Sequence, residues 1–322
     1  MKIEDRVYGT VIINNKILVD LIKSDSLQRL KDISQLGVPD EYYHIKGFSR
    51  YEHSTGVMIF LKKFGAGLEE QVAGLLHDVS HTPFSHVIDW AIGDPTKEDY
   101  QDNIHEKFLK NSEIPEILKK YNFNLGIISN YKNFKLLERK APSLCADRLD
   151  YSLRQLVMRK GKNLVEKILS NLSVKENQIV FMDEKMATIF GKEYMAFQRE
   201  EWGGEEARSR YYILSEILKK AFKENLINLN DLKKTEKPIL KILNESKNEF
   251  ILENLNLLKK GFRVISDENG MELKKKFRYV DPEVLVNGKY FPLSELSKDY
   301  FNLIELEKEK SRLIKKILII PN

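Results

Sequence analysis

Cysteine is all but missing: Cys145 is the single one in 322 residues. An internal disulfide and a four-cysteine zinc knuckle are therefore excluded, and the composition suits a reducing compartment. No apolar run approaches the roughly 20 residues of a membrane span, and Met1-Lys2-Ile3-Glu4-Asp5-Arg6 has no apolar signal core. The expectation is a cytoplasmic protein without a membrane partner. A large excess of one charge sign is absent too, since 53 basic and 48 acidic residues are interleaved and leave only +5. So small a surplus suits a pocket for a polyphosphate as well as a nucleic-acid surface, and a nucleic-acid partner is not favoured over a nucleotide. Internal repeats and low-complexity linkers are not seen. The chain is long enough to bury a core without staples.

Histidine is scarce but clustered. Three of the six fall in Leu76-His77-Asp78-Val79-Ser80-His81-Thr82-Pro83-Phe84-Ser85-His86, and Asp89 follows at once. An adjacent imidazole and carboxylate at a helix end form a ligand pair that a divalent metal accepts. His53, His77, Asp78 and Asp147 are four candidate ligands spread through a helical stretch. Two neutral imidazoles and two carboxylates can hold one divalent ion and leave positions for water and a substrate oxygen, which suits hydrolysis of a phosphate ester.

Periodicity predicts a mainly α protein. Tyr8 to Leu21 reads as a short hairpin around Asn14-Asn15 or an extended entry segment, and Leu27, Leu30, Ile33 and Leu36 predict a helix from Ser24 to Gly37. Helices are expected from Arg50 to about Lys63 and from Glu69 to His77, with Pro83 in the first turn of a third that carries His86 and Asp89 on one face. Another from about Asn103 bears His105-Glu106. Ser143 reads as the N-cap of a helix over Leu144 to Lys160, in which Asp147, Asp150, Tyr151 and Arg154 form one stripe. Val174 to Met182 suggests a hairpin, Met186 to about Ala221 a helix interrupted at Gly203-Gly204, and Asn225 to Lys260 two surface helices. Short β-like runs separated by Gly and Pro begin after Gly261. The expected division is residues 1–222 as the catalytic helical domain, 223–260 as a helical extension and 261–322 as a small α+β appendage with no identifiable chemistry. Trp90 and Trp202 read as packing residues, Cys145 as a small core residue, and Lys274-Lys275-Lys276 as a solvated face.

Five segments, in order, carry a resemblance: Gln28-Arg29-Leu30 with Gln35-Leu36-Gly37; Arg50-Tyr51-Glu52-His53-Ser54-Thr55-Gly56; His77 to His86; His105-Glu106; and Asp147-Arg148-Leu149-Asp150-Tyr151. Across roughly residues 5 to 215 the chain resembles the HD-domain phosphohydrolases, and among them the deoxynucleoside triphosphate triphosphohydrolases of the dGTPase and SAM-and-HD-domain type. The resemblance implies an HD-domain helical bundle in which His53, His77, Asp78 and Asp147 hold one divalent ion (Mn, Fe, Zn, Ni or Mg), with a second Mg accompanying the triphosphate. It further implies that His105, oriented by Asp89, is the acid toward the leaving oxygen, its protonated form favoured by the carboxylate. By the same resemblance His86 and His81 face the α-phosphate, Arg50, Arg148 and Tyr151 bind phosphates or sugar, and Gln35 and Leu36 line the nucleoside pocket. A dimer or tetramer is expected on family grounds.

Departures from that pattern keep other functions open. Ser80 and Thr82 stand where glycines are usual, and Gln155 replaces an aspartate that reads the sugar 3′-hydroxyl in related enzymes. Arg208-Ser209-Arg210-Tyr211-Tyr212 lacks a His-Lys pair, and Lys23 and Lys31 replace residues of the nucleotide-activated members. The leading expectation is hydrolysis of a dNTP to deoxynucleoside and triphosphate. Alternatives are a phosphatase or phosphodiesterase acting on nucleoside monophosphates, cyclic nucleotides or nucleic-acid ends, and a nucleotide- or nucleic-acid-binding regulator.

Overall fold

The computed structural model describes residues 1–272, 277–313 and 315–322; the Lys274-Lys275-Lys276 run lies outside them. Two strands, β1 (Lys2–Asp5) and β2 (Gly9–Ile12), form the N-terminal hairpin. Its turn sits at Asp5, whose carboxylate accepts the Val7 and Tyr8 amides, and not at Asn14-Asn15 as expected. Asn15 instead caps α1 (Lys16–Lys23), its side chain accepting the Ile17 amide.

The helix expected over Ser24 to Gly37 is also shorter. α2 (Asp25–Gln28) tightens into a 3₁₀ turn over Arg29–Asp32, and the chain is extended at Ile33. The reason is long-range. The Glu236 carboxylate takes both the Ser34 amide, at 2.8 Å, and the Ser34 hydroxyl, at 2.9 Å, while Ser34 bridges to Ser49. Those bonds draw residues 33–35 out of the helical path.

Ser49 then caps α3 (Arg50–Lys63), which is buried on nearly every side over its length. A helix apolar or buried all round belongs at the centre of a fold. α4 (Leu68–Leu76) packs along it at Gly74, where a Cβ would come within 2.4 Å of Leu61. The short α5 (Val87–Ile92) begins later than expected: Pro83 lies in a turn, Phe84 and Ser85 have φ of 65° and 44°, and His86 is the N-cap. α6 (Tyr100–Lys110), α7 (Ile114–Lys120) and α8 (Leu125–Ser129) follow.

α9 (Ala146–Lys160) starts after Cys145, two residues beyond the expected Ser143 cap, because the Ala146 and Asp147 amides bond to the carbonyls of Leu136 and Leu137. It meets α3 at Gly56, where a Cβ would fall 1.8 Å from the Arg154 guanidinium. The stripe on α9 is not a solvated face: Asp150 and Arg154 are fully buried.

α10 (Lys162–Asn171) leads into the hairpin of β3 (Leu172–Lys175) and β4 (Gln178–Phe181) that alternation predicts. α11 (Glu184–Phe197), a π turn over Gln198–Trp202 and α12 (Glu205–Lys223) reproduce the interruption at Gly203-Gly204, and α13 (Glu236–Glu245) and α14 (Glu249–Lys260) are the two helices that follow. Beyond them, β5 (Phe262–Glu272) pairs with β8 (Lys316–Pro321). β6 (Glu283–Val286) lies parallel to β4 and antiparallel to β7 (Lys289–Pro292), making a sheet of order β3-β4-β6-β7. α15 (Leu293–Leu296) and α16 (Lys298–Arg312) complete the elements. Val280, Val284, Leu293, Tyr300 and Ile304 share one apolar core with Val57, Phe60, Leu149 and Leu153. The protein is mainly α-helical with small sheets, as expected.

Candidate metal centre and substrate cavity

Three elements deliver three ligand atoms to one point. His53 comes from the first turn of α3, His77 follows α4, and Asp147 lies in the first turn of α9. One ligand atom from each lies within 4.8 Å of the other two. The His53 Nε2 is 2.9 Å from Asp147 Oδ1, and the His77 Nε2 is 3.6 Å from the same oxygen. Asp78 stands beside them, 3.5 Å from His77 Nε2 and 3.7 Å from His53 Nε2, and its Oδ2 accepts from Arg50 Nη1 at 2.6 Å.

Both imidazoles are aimed through their other nitrogen. His77 Nδ1 is 2.8 Å from the Gly74 carbonyl and His53 Nδ1 is 2.9 Å from Asp150 Oδ2. Such partners fix the ring and leave Nε2 for a cation. Asp150 is itself held by Arg154, whose guanidinium also reaches Asp5 and Glu52. Sequence reasoning placed Asp150 in the stripe but missed its role in aiming His53; the i+3 offset from Asp147 and the i+4 offset to Arg154 carry the signal.

The electrostatics favour a positive charge at this point. Burial would raise the Asp78 carboxyl, but His77 and Arg50 hold it well below the carboxylate range. Burial likewise opposes ionisation of Asp147, and the hydrogen bond from His53 together with the neighbouring His77 ring outweighs it and lowers its pKa. On His77 burial acts downward, yet Asp78 and Asp147 raise it to about 9. His77 Nε2 is nevertheless buried without a hydrogen-bond partner among the described residues. An orphaned imidazole nitrogen facing two carboxylates is a donor set that fits a divalent cation. A second group, Glu138, Cys145 and Asp147, is also close. Its thiol is the wrong species: burial pushes the Cys145 pKa far up, and the thiol stays protonated.

The proposed catalytic residues separate. Asp89 Oδ2 is 3.3 Å from His86 Nδ1, and its Oδ1 accepts the Tyr100 amide at 2.9 Å. Asp89 therefore orients His86 and not His105, which corrects the expectation. His105 Nδ1 instead meets the Ser80 hydroxyl at 2.9 Å, and its ring sits edge-on to Tyr131. Burial, then the charge of His77, lowers its pKa to about 4, so it is neutral rather than the protonated acid expected. His105 is not among the residues lining the cavity, whereas His86 is.

That cavity holds about 840 Å³, within the range of small-molecule sites. Gln35, Leu36, Arg50, His81, Arg148 and Tyr151 all line it, together with Asp78 and Asp147. Not all of them are free for a substrate. Arg50 is engaged with Asp78, Arg148 donates to the Ser143 carbonyl at 2.6 Å, and the Tyr151 hydroxyl is 2.8 Å from that of Tyr194. Trp202 packs against the core as expected, with Tyr151, Tyr194 and Phe197 around it; it and Trp90 also form part of the cavity wall, to which Lys132, Lys140, Arg208 and Arg278 add cations. Gln155 is absent from the lining, its amide bonded to Glu201. Arg278 was missed because it comes from the C-terminal region, for which the sequence offers no motif.

A helical fold closing two histidines and an aspartate on one point defines a class. The model of the HD domain matches residues 50–151, and the chain belongs to the HD-domain metal-dependent phosphohydrolases. A Bacillus subtilis relative, the uncharacterized protein YdhJ, is 37% identical over 322 residues, covering 97% of each chain. The metal-dependent phosphohydrolase cns2 of Cordyceps militaris is 35% identical over 209 residues, 62% of this chain and 60% of that one. Similarity to the deoxynucleoside triphosphate triphosphohydrolase SAMHD1 of Xenopus laevis is 36% over 102 residues, 26% of this chain and 16% of that protein. Among solved structures, a phosphohydrolase from Bacteroides thetaiotaomicron superposes over the whole of both chains with a TM-score of 0.71 at 20% identity, a likeness of fold.

Proposed function

We propose that this phosphohydrolase cleaves the sugar–phosphate ester of a deoxynucleoside triphosphate and releases deoxynucleoside and intact triphosphate. The observation that carries this reading is one cavity lined by His77, Asp78, Asp147 and His86, several cations and an apolar and aromatic wall that includes Leu36, Tyr151 and Trp202, with His53 behind Asp147 and Asp89 behind His86. The local similarity to deoxynucleoside triphosphate triphosphohydrolases supports the same substrate.

His53, His77 and Asp147, with Asp78 alongside, would hold a divalent cation, which would supply Lewis acidity toward a phosphoryl oxygen and lower the pKa of a water. The Gly74 carbonyl and Asp150 keep both Nε2 atoms forward. Arg50 keeps Asp78 ionised and in place. His86 faces the cavity with its Nδ1 against Asp89, which leaves Nε2 to deliver a proton to the departing sugar oxygen. Asp89 holds the ring in that orientation. His105 is a positioning residue: through the Ser80 hydroxyl it braces the turn that carries Asp78 and His81.

Product analysis tests the reading. Incubation of the full chain with each dNTP and Mn or Mg gives intact triphosphate; release of orthophosphate or pyrophosphate contradicts it. A second reading, hydrolysis of nucleoside monophosphates, is favoured by one observation: Gln155 is tied to Glu201 and does not face the cavity, so that position reads no sugar hydroxyl. Inert dNTPs beside a monophosphate that turns over would select it.

A further inference from the structure

The turn that carries Asp78 and His81 must be held open by something outside itself. α4 ends at Leu76, so the carbonyls that follow lack the amides of a continuing helix, and Val79, Ser80 and His81 are all buried. Buried carbonyls without helical partners need donors from elsewhere. Arg29 supplies them: its Nη2 donates to the Val79 carbonyl and to the His81 carbonyl, each at 2.8 Å. One planar nitrogen thus pins the backbone on either side of Ser80, and a charged donor makes such bonds stronger than a neutral one.

Arg29 sits in the 3₁₀ turn over Arg29–Asp32, and its guanidinium is itself fixed from two sides. It lies 5.1 Å from the centre of the Phe108 ring on α6, three residues after His105, and its Nη1 donates to the Lys234 carbonyl at 3.1 Å, just before α13. α6 therefore grips the turn twice. His105 meets the Ser80 hydroxyl, and Phe108 backs the guanidinium that holds the neighbouring carbonyls. Desolvation lowers the Arg29 pKa to about 10, so the charge persists at neutral pH. Its hydrogen bonds among the described residues all go to backbone carbonyls. A desolvated cation without a carboxylate beside it is costly, and what it gains here is the shape of the turn.

We propose that Arg29 is a positioning residue: it fixes the path of residues 78–81 and so places the Asp78 carboxylate and the His81 ring at the metal site. The His81 Nε2 lies 3.4 Å from Asp78 Oδ1, and a shift of the His81 backbone therefore moves a ring that stands against a candidate ligand. Asp78 is held at its side chain by Arg50 and through its turn by Arg29, two arginines that reach it from different segments. The effect on cation affinity rests on the metal reading of the site, whereas the hold on the turn does not.

The first test needs neither metal nor turnover. Hydrogen exchange on the metal-free full chain compares wild type with Arg29→Met, which keeps an apolar stem and removes the donors, with circular dichroism confirming the fold. Residues 78–82 are expected to exchange at least tenfold faster in the variant while α9 changes less than threefold; an equal change in both, or none, overturns the proposal. Calorimetric titration with Mn(II) is the second readout. The Kd is expected to rise at least tenfold in Arg29→Met, and to stay within threefold of wild type in Tyr300→Phe, which loses a buried bond to the Val280 carbonyl away from the turn. An unchanged Kd in Arg29→Met, or equal weakening in both variants, overturns the positioning role. Absence of Mn(II) binding by the wild type rejects the metal assignment instead, and the exchange result still decides the hold on the turn. Phe108→Leu is the second variant should Arg29→Met not fold: exchange of residues 78–82 quickens at least threefold, and exchange equal to wild type contradicts the proposal.

Discussion

At the residue scale the site is governed by what each histidine nitrogen faces. His53 and His77 spend Nδ1 on Asp150 and the Gly74 carbonyl, so their Nε2 atoms point at Asp147 and Asp78. Removing the Asp150 charge loosens a ring without touching a ligand. Asp150→Asn is therefore expected to weaken divalent-metal affinity by roughly 10- to 100-fold, measured by titrating the metal-free chain. His105 gives a pH prediction. Its folded pKa of about 4 lies below the ordinary 6.5, so the unfolded chain binds the extra proton first. The stability it lends is complete above pH 6.5 and is lost as pH falls toward 4, up to about 3 kcal/mol. Urea unfolding of wild type and His105→Asn from pH 7 to 4 should converge as pH falls; parallel curves contradict the neutral, buried ring. Most of the candidate ligand group was legible in the sequence because the His-Asp pair and the helical offsets are local signals. The role of His105 was not, since Ser80 sits three residues before Pro83 in a turn whose path no periodicity encodes.

At the scale of elements, α3 and α9 are locked by a buried charge cluster rather than by apolar contact alone. Arg154 bonds to Asp150 at 2.7 Å, Asp5 at 2.8 Å and Glu52 at 2.8 Å, and Gly56 leaves the space for its guanidinium. Breaking such a cluster strands charges away from water. Gly56→Ala is expected to destabilise the protein by about 4 kcal/mol or more, read from its thermal or urea unfolding, and to lower metal affinity with it. A milder result would show that Arg154 swings aside. The extension holds a second device. Glu236 on α13 fixes Ser34, Ser34 accepts from Ser85, and Ser85 accepts from Arg50, which holds Asp78. Glu236→Ala should raise KM for the proposed nucleotide substrate several-fold, because Gln35 and Leu36 follow directly on Ser34, and cost about 1–3 kcal/mol of stability. The failed helix over residues 33–36 has this same cause: leucine periodicity was visible, but a carboxylate 202 positions away decides the path.

At the scale of the whole molecule, the described residues beyond Gly261 are woven into the fold. β6 extends the sheet begun by β4, and Arg278 reaches the cavity that holds the metal ligands. Composition showed where the helical pattern ends, at Gly261, but it could not show where the later strands pair. Pairing between residues 180 and 283 is a tertiary fact. The metal site was legible because it is built from short-range motifs, whereas the Glu98–Arg278 ion pair of the cavity wall was not, because two ordinary charged residues become partners only in three dimensions. All of this converges on a cation held between α3, α4 and α9. Calorimetric titration of the metal-free chain with Mn(II) is the most direct measurement: one ion per chain is expected for wild type, and none for a folded Asp147→Ala variant. Absence of binding to the wild type, or equal binding to both, would contradict the assignment.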